Sequence, residues 1–486
     1  MKWLIINIGF ASCFLFLSHL ASQESESGQR RYLDYFASHL RKTQHTLNGQ
    51  DNHATVVAFE GELNKECLIE SLKSLFQVHA NLRVKKIEYD DQEKRFFCDG
   101  ELGFSDISCE FIEIDKEDDW RKVMSEELFH PFPSDGPYWK IRCLTVKNSQ
   151  PSRHYLIQFF DHSLSDGIST AKLNDELFSN YHSKMSQEKM EVVKDCLPGP
   201  AATLFPPEKQ CNWQDYKNKL DQIASLYPMP PKGLIYEKQA TLQQRKTQAV
   251  LFAFELDPLY QTCKEHGLTV NDMLSAISLL ALRNSQANRH HSLDTSIITC
   301  VNLRNSNFGL SDKINANCLG CFFNIIIQPQ KIDASSTLWT LAENYRKHSA
   351  KLIQQLARPP INFSIEEMCE RNGLNLAERR NHFALGIATS NLGKIDLKKK
   401  YGDIDIVFYQ FFTNQGAGFF EAILDVSCVE NTVFCNITYV EPLHSREWAL
   451  QFVLHFIREL KFALHDRLTL VEYGTDKDIL EAERHH

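Results

Sequence analysis

The sequence predicts an α/β protein of two similarly built halves, layered from strands and helices. Three observations carry that expectation. Apolar runs with strand character alternate with stretches of helical periodicity over most of the 486 residues. A polar connector near residues 186–246, broken by the proline-bearing LPGPAATLFPPEKQ and YPMPPKG, divides them into a part at 31–185 and a part at 247–470. The composition, 43% hydrophobic and 24% charged with 32 phenylalanines, suffices for more than one core.

In order, the first part reads as helix Tyr32 to His45, strand Ala54 to Phe59 and helix Leu63 to His79. Strands follow near Arg83 to Tyr89, Arg95 to Asp99 and Ile107 to Ile114, then a helix near Trp120 to Phe129 and strands Trp139 to Val146 and Tyr155 to Phe160. From Gly167, the residues Ile168, Ala171, Leu173, Leu177, Phe178 and Tyr181 recur near helical spacing, with Ser165 or Asp166 placed to cap the first turn. The connector carries modest helical periodicity at Trp213 to Tyr227.

The second part reads as strand Val250 to Leu256, helices Leu259 to His266 and Val270 to Leu282, strands Ile297 to Val301 and Phe322 to Ile327, and a long helix Leu338 to Leu356. Strands Ala384 to Thr389, Ile404 to Phe412, Phe419 to Val426 and Val433 to Val440 lead to a helix Arg446 to Leu464. There Trp448, Phe452, Phe456 and Leu460 lie four apart, a stripe that reads as core, with a membrane-facing role as the sharper alternative. Residues 471–486 read as a polar tail.

Net charge of −9 provides no basic field for a polyphosphate backbone, which excludes nucleic acid as an expected partner. Lys2, the apolar stretch Trp3 to Leu20 and the polar QESESGQRR mark residues 1–22 as a signal peptide, cut after Ala21 or Ser22, or as an uncleaved signal anchor. Either reading implies the secretory pathway, exported or membrane-anchored; an anchor that leaves the enzyme facing cytosol is a further arrangement. Cysteine usage pulls against export, since of 14 cysteines only Cys13 lies in that segment and the odd remainder shows no framework spacing. Cys318 and Cys321 form a C-x-x-C that precedes an apolar strand instead of opening a helix, so structural thiols are expected over a redox or zinc pair. Asn362 and Asn436 fit the glycosylation pattern, the second inside a predicted strand.

The run His162-Ser163-Leu164-Ser165-Asp166-Gly167 stands where the apolar RHYLIQFFD strand ends and a helix begins. A histidine there sits on a rigid support, and a glycine lets backbone approach closely. A histidine, aspartate and glycine at these offsets arise by chance in about one chain in twenty of this length, and the plain reading is a locally bonded histidine beside a helix cap.

Four segments in matching order resemble the chloramphenicol acetyltransferase-like superfamily of condensation domains, alcohol O-acetyltransferases and polyketide-associated acyltransferases. They are Gly61 to Arg83, HSLSDG itself, Gly267 to Leu282 with the strand Thr295 to Asn305, and ATSNLGKID from Ala388. The resemblance covers about Arg31 to Leu470. Condensation domains usually carry a second histidine where this chain has Asp161, and the plant D-F-G-W-G signature is missing, which points to the alcohol and polyketide-associated branches.

The resemblance implies two subdomains of mixed sheet flanked by helices, meeting at a V-shaped cleft with a central tunnel. It implies that His162 removes the proton of an acceptor hydroxyl or amine as that atom attacks a thioester, with no serine or cysteine nucleophile. It makes Asp166 an architectural residue paired with Arg304, and Gly167 either a close-packing residue behind the histidine or a plain helix-start glycine. Ser390 and Asn391 are candidates for the oxyanion or tunnel, against the plain reading of SNLGK as a turn after a strand. The expected activity is O-acyl transfer, with amide formation or a non-catalytic binding protein of the same fold as alternatives. Acyl-CoA or a carrier-protein thioester would be co-substrate, with no permanently bound cofactor and no metal site. Expected partners are that donor and a small-molecule or lipid alcohol acceptor, with membrane association only through the N-terminus and a monomeric chain.

Overall fold

The computed structural model describes residues 31–92, 95–187, 238, 240–286, 292–304, 318–356 and 386–484. The targeting segment 1–22, most of the connector with its helix at 213–227, and Asn362 lie outside the described residues.

The first half runs β1 (Arg31–Tyr32), α1 (Tyr35–Thr46), β2 (His53–Glu60), α2 (Lys65–Val78), β3 (Val84–Asp90), β4 (Arg95–Glu101), β5 (Ser108–Ile114), α3 (Asp119–Leu128), β6 (Trp139–Val146), β7 (Arg153–Phe160) and α4 (Gly167–Met185). The second runs β8 (Lys246–Glu255), α5 (Leu256–Glu265), α6 (Val270–Asn284), β9 (Leu293–Asn302), β10 (Phe323–Ile332) and α7 (Leu338–Leu356). It continues through β11 (Ile387–Lys394), β12 (Lys400–Tyr401), β13 (Ile404–Thr413), β14 (Ala422–Val429), β15 (Thr432–Glu441), α8 (Arg446–Ala463) and α9 (Lys477–Arg484).

Helix starts follow their cap residues: the side chains of Asp34, Asn64, Thr269 and Ser445 each accept a backbone N–H three residues on, at 2.8–3.1 Å. The strands assemble into two mixed six-stranded sheets, β12-β13-β2-β7-β6-β5 and β10-β9-β11-β14-β15-β8, beside a small sheet β1-β4-β3. Helices α2 and α4 pack together in the first half, and α6 contacts both α7 and α8 in the second. Trp448, Phe452, Phe456 and Leu460 of α8 are buried in the second core, so that stripe is core and not a membrane face. Among the described residues no helix is long and apolar enough to cross a membrane.

Three local expectations change. Ile404–Thr413, read with the second half, pairs antiparallel with β2 of the first, from Asp405 opposite Glu60 to Thr413 opposite His53. The crossing strand covers backbone groups of β2 that would otherwise form an open edge, and buries Tyr409, Phe411 and Phe412. Where the plain reading of SNLGK places a turn, the chain instead continues β11, which pairs parallel with β14 and shifts register between Asn391 and Lys394. The turn chemistry survives inside the strand as a bulge, where the Gly393 N–H donates to Asn391 Oδ1 at 2.9 Å. The polar tail is a strap: Val471 and Asp476 donate their N–H groups to carbonyls of Ala253 and Leu251 in β8, and Ile479 of α9 is fully buried.

Candidate active site

β7 ends at Phe160, and residues 161–166 turn between it and α4, so a central strand and a helix start hold the loop at both ends. His162 is buried, with its Nδ1 2.8 Å from the Ser165 carbonyl oxygen. A carbonyl only accepts, so Nδ1 carries a proton, and in the neutral ring the lone pair is on Nε2. The ring stacks on Phe323 of β10 with centroids 4.9 Å apart and meets His53 of β2 edge-on at 4.5 Å. The catalytic candidate is thus fixed in tautomer and orientation by groups from both halves.

Asp166 caps α4, its Oδ1 accepting the Ser169 N–H at 2.9 Å. Its Oδ2 accepts from Arg304 Nη1 and from the Phe322 N–H, both at 2.7 Å. Arg304 Nη2 also donates to the Gly320 carbonyl at 3.2 Å, and the ion pair is almost fully buried. Burial pushes the Asp166 carboxyl up, but Arg304 with the two backbone donors outweighs it and holds the group below the usual carboxylate range. The structure therefore joins Asp166 and Arg304 across the two halves.

Gly167 is the first residue of α4, and a Cβ there would stand 2.6 Å from Leu392 Cδ2 and 3.2 Å from Phe411 Cε2. Its close approach is to β11 and the crossing strand β13, more than a helix-start preference requires.

Ser390 and Asn391 on β11 line the same pocket as His162, a space of about 1120 Å³ partly open to solvent. Phe36, Leu40, Ile298, Phe323, Leu392 and Phe411 make its walls largely apolar. Asn391 Nδ2 reaches Asn271 Oδ1 at 3.4 Å, which ties the pocket wall to α6. Cys300 also lines the pocket; burial pushes its thiol up to about 12, so it is no ready thiolate nucleophile. His39 of α1 faces this space as well, and burial with the nearby Lys42 lowers it to about 4.

Sequence reading missed three contributors. Asp161 is bound by Arg41 of α1, whose Nη1 donates to Oδ2 at 2.6 Å with both side chains buried, while the Ser163 N–H and hydroxyl donate to Oδ1 at 2.9 and 2.7 Å. Asn81, after α2, donates through Nδ2 to the carbonyls of Leu164 and Leu319, a second link between site loop and second half. His53 stands beside His162 because β2 pairs with β7, placing His53 opposite Phe160. None has a local signal, since each acts through a partner more than 80 residues away. The two aspartates serve different arginines.

Residues 27–472 match the model of the condensation-domain family. The chain belongs to that family. Its fold is similar to the first condensation domain of the CDA synthetase, at 12% identity over 92% of this chain and 100% of that one, with a TM-score of 0.64. It is also similar to polyketide synthase associated protein 5 from Mycobacterium tuberculosis, at 14% identity over 89% of this chain and 98% of that one, TM-score 0.62. A variant starter condensation domain of rhizomide synthetase, in complex with C8-CoA and Leu-SNAC, matches at 13% identity over 94% of this chain and 99% of that one, TM-score 0.62. No curated protein matches the sequence.

Proposed function

We propose that this condensation-family chain moves an acyl group from a thioester, acyl-CoA or carrier-bound, to an alcohol, with His162 as general base. The observation that carries this reading is the Nδ1–H bond to the Ser165 carbonyl, which leaves a basic Nε2 on a residue lining an apolar pocket. Nε2 takes the hydroxyl proton as the oxygen attacks the thioester carbonyl carbon. The tetrahedral intermediate then collapses, the C–S bond breaks, and the departing thiolate recovers the proton from Nε2. Ser390 Oγ–H and Asn391 Nδ2–H, on the pocket wall, are the side-chain donors offered to the oxyanion.

Asp161 in place of a second motif histidine favours the alcohol-accepting branch. The relative bound to C8-CoA and Leu-SNAC favours amide formation as the second reading, because the same base would serve an amine. The test is thiol release by the full chain from acetyl-, octanoyl- and palmitoyl-CoA, with separate pools of alcohols and amines, beside His162→Ala. Release that depends on an alcohol and falls at least about 100-fold in the variant supports O-acyl transfer. Release that depends only on amines establishes the amide reading, and equal release by both proteins removes His162 as the base.

A further inference from the structure

His53 is the first residue of β2, fully buried, and touches the site loop without belonging to it. Its ring stacks on Phe160 at 5.3 Å and 17°, leans on Phe411 at 5.1 Å, and meets the His162 ring at 4.5 Å and 62°. Its Nε2 lies 3.3 Å from Ser165 Oγ, and Ser165 Oγ lies 3.3 Å from the Asp161 carbonyl oxygen. A serine hydroxyl has one proton, and a carbonyl can only accept it. The hydroxyl therefore donates to Asp161, and the proton shared between His53 and Ser165 is the imidazole Nε2–H. That assignment agrees with His53 Nδ1, which has no hydrogen-bond partner among the described residues and needs only a lone pair there.

Ser165 is also the residue whose carbonyl accepts the Nδ1–H of His162. Two histidines, one on β2 and one in the loop that follows its partner strand β7, thus hold one residue from two sides, one through its hydroxyl and the other through its carbonyl. We infer, resting on the acyl-transfer reading above, that His53 is a positioning residue: its Nε2–H and ring fix the Ser165 turn so that the carbonyl selects the Nδ1–H tautomer of His162. Burial and the neighbouring His162 hold His53 well below the ordinary imidazole range, so it stays neutral while His162 cycles its proton. A neutral donor keeps the Ser165 turn in place without adding a positive charge that would oppose protonation of His162.

The test is made on the full chain with histidine-selective 15N labelling, which reads the His162 ring nitrogens without substrate, together with kcat and KM. His53→Phe keeps the aromatic packing and removes the donor; His53→Gln restores a side-chain N–H near the Nε2 position. The expected result is loss of the single Nδ1–H tautomer in His53→Phe, a kcat lower by about 10- to 100-fold, KM within about twofold, and substantial recovery of both in His53→Gln. Ser165→Ala removes the same link from its other end and shows the same tautomer mixture if His53→Phe does not fold. An unchanged His162 tautomer in the folded Phe variant, or a Gln variant no better than Phe, overturns the inference. Because the tautomer is read without turnover, a wild type inactive in every acyl assay would count against the acyl-transfer reading alone.

Discussion

Two buried arginine–aspartate pairs bracket His162, and they differ in what they join. Asp161, just before it, binds Arg41 of α1 inside the first half, while Asp166, four residues after, binds Arg304 of the second. The two pairs are similar in burial and N–O distance, so the difference lies in topology. One fastens the loop to helix α1 of its own half. The other fastens it to the wall that carries Phe322 and Phe323, with Phe323 stacked on the imidazole. The first pair is a folding contact that passes near the site, and the second sets the site against the opposite half.

That contrast can be broken by mutation, beginning with the largest effect. Arg304→Met strands the buried Asp166 charge and is expected to cost about 3–5 kcal/mol in urea unfolding, with acyl transfer falling at least about 100-fold even where the protein remains folded. Arg41→Met strands Asp161 in the same way, each carboxylate keeping two donors: the Ser163 N–H and hydroxyl at Asp161, the Ser169 and Phe322 N–H groups at Asp166. It should cost about 3 kcal/mol and leave kcat within about tenfold of wild type. Equal activity losses in folded Arg304→Met and Arg41→Met would erase the distinction. A smaller effect is expected at the contact between halves: Gly167→Ala should cost about 1–2 kcal/mol by crowding Leu392 and Phe411, and Leu392→Ala in the same chain should relieve part of it.

Acid titration gives the smallest effect per step and separates ion pairing from apolar burial. His53 and His444 are held below 6.5, His444 at about 3, by burial first. The unfolded chain therefore takes up their protons before the folded one does. Stability is full above pH 6.5 and falls below it by up to about 1.4 kcal/mol per pH unit for each histidine. Asp166 is also held below its ordinary value, 3.8, so its contribution is present above that pH and is lost only as pH falls through the lower folded value. Urea unfolding at a series of pH values should show the loss beginning near pH 6.5, reduced in His53→Phe. No stability change between pH 6.5 and 5 would contradict the burial of neutral histidines.

Much of the fold is legible in short stretches of sequence, because strand and helix periodicities are local. Trp139–Val146 and Leu338–Leu356 form with the bounds that their patterns predict. The partner of β13 was not legible, since nothing in IDIVFYQFFT distinguishes pairing with β2 from pairing with its chain neighbours. The same division holds at the site. His162, Asp166 and Gly167 share one short run, and the resemblance supplied Arg304. Arg41, Asn81 and His53 are ordinary helix, loop and strand residues until the chain folds and brings them to the loop. Asn436, by contrast, lies inside a strand that its local pattern predicts, and it is fully buried with its side-chain Nδ2 donating to the Phe411 carbonyl at 2.8 Å.

The central claim is direct transfer by a histidine base, with the pocket thiol of Cys300 left out of the chemistry. The most direct test is intact-protein mass together with CoA release, measured once with acceptor present and once with it withheld. The account predicts one CoA released per ester formed when an alcohol is supplied, and no acylated protein when it is withheld. Acylated protein that accumulates without acceptor, is lost in Cys300→Ala and passes its acyl group to an alcohol added later would contradict it.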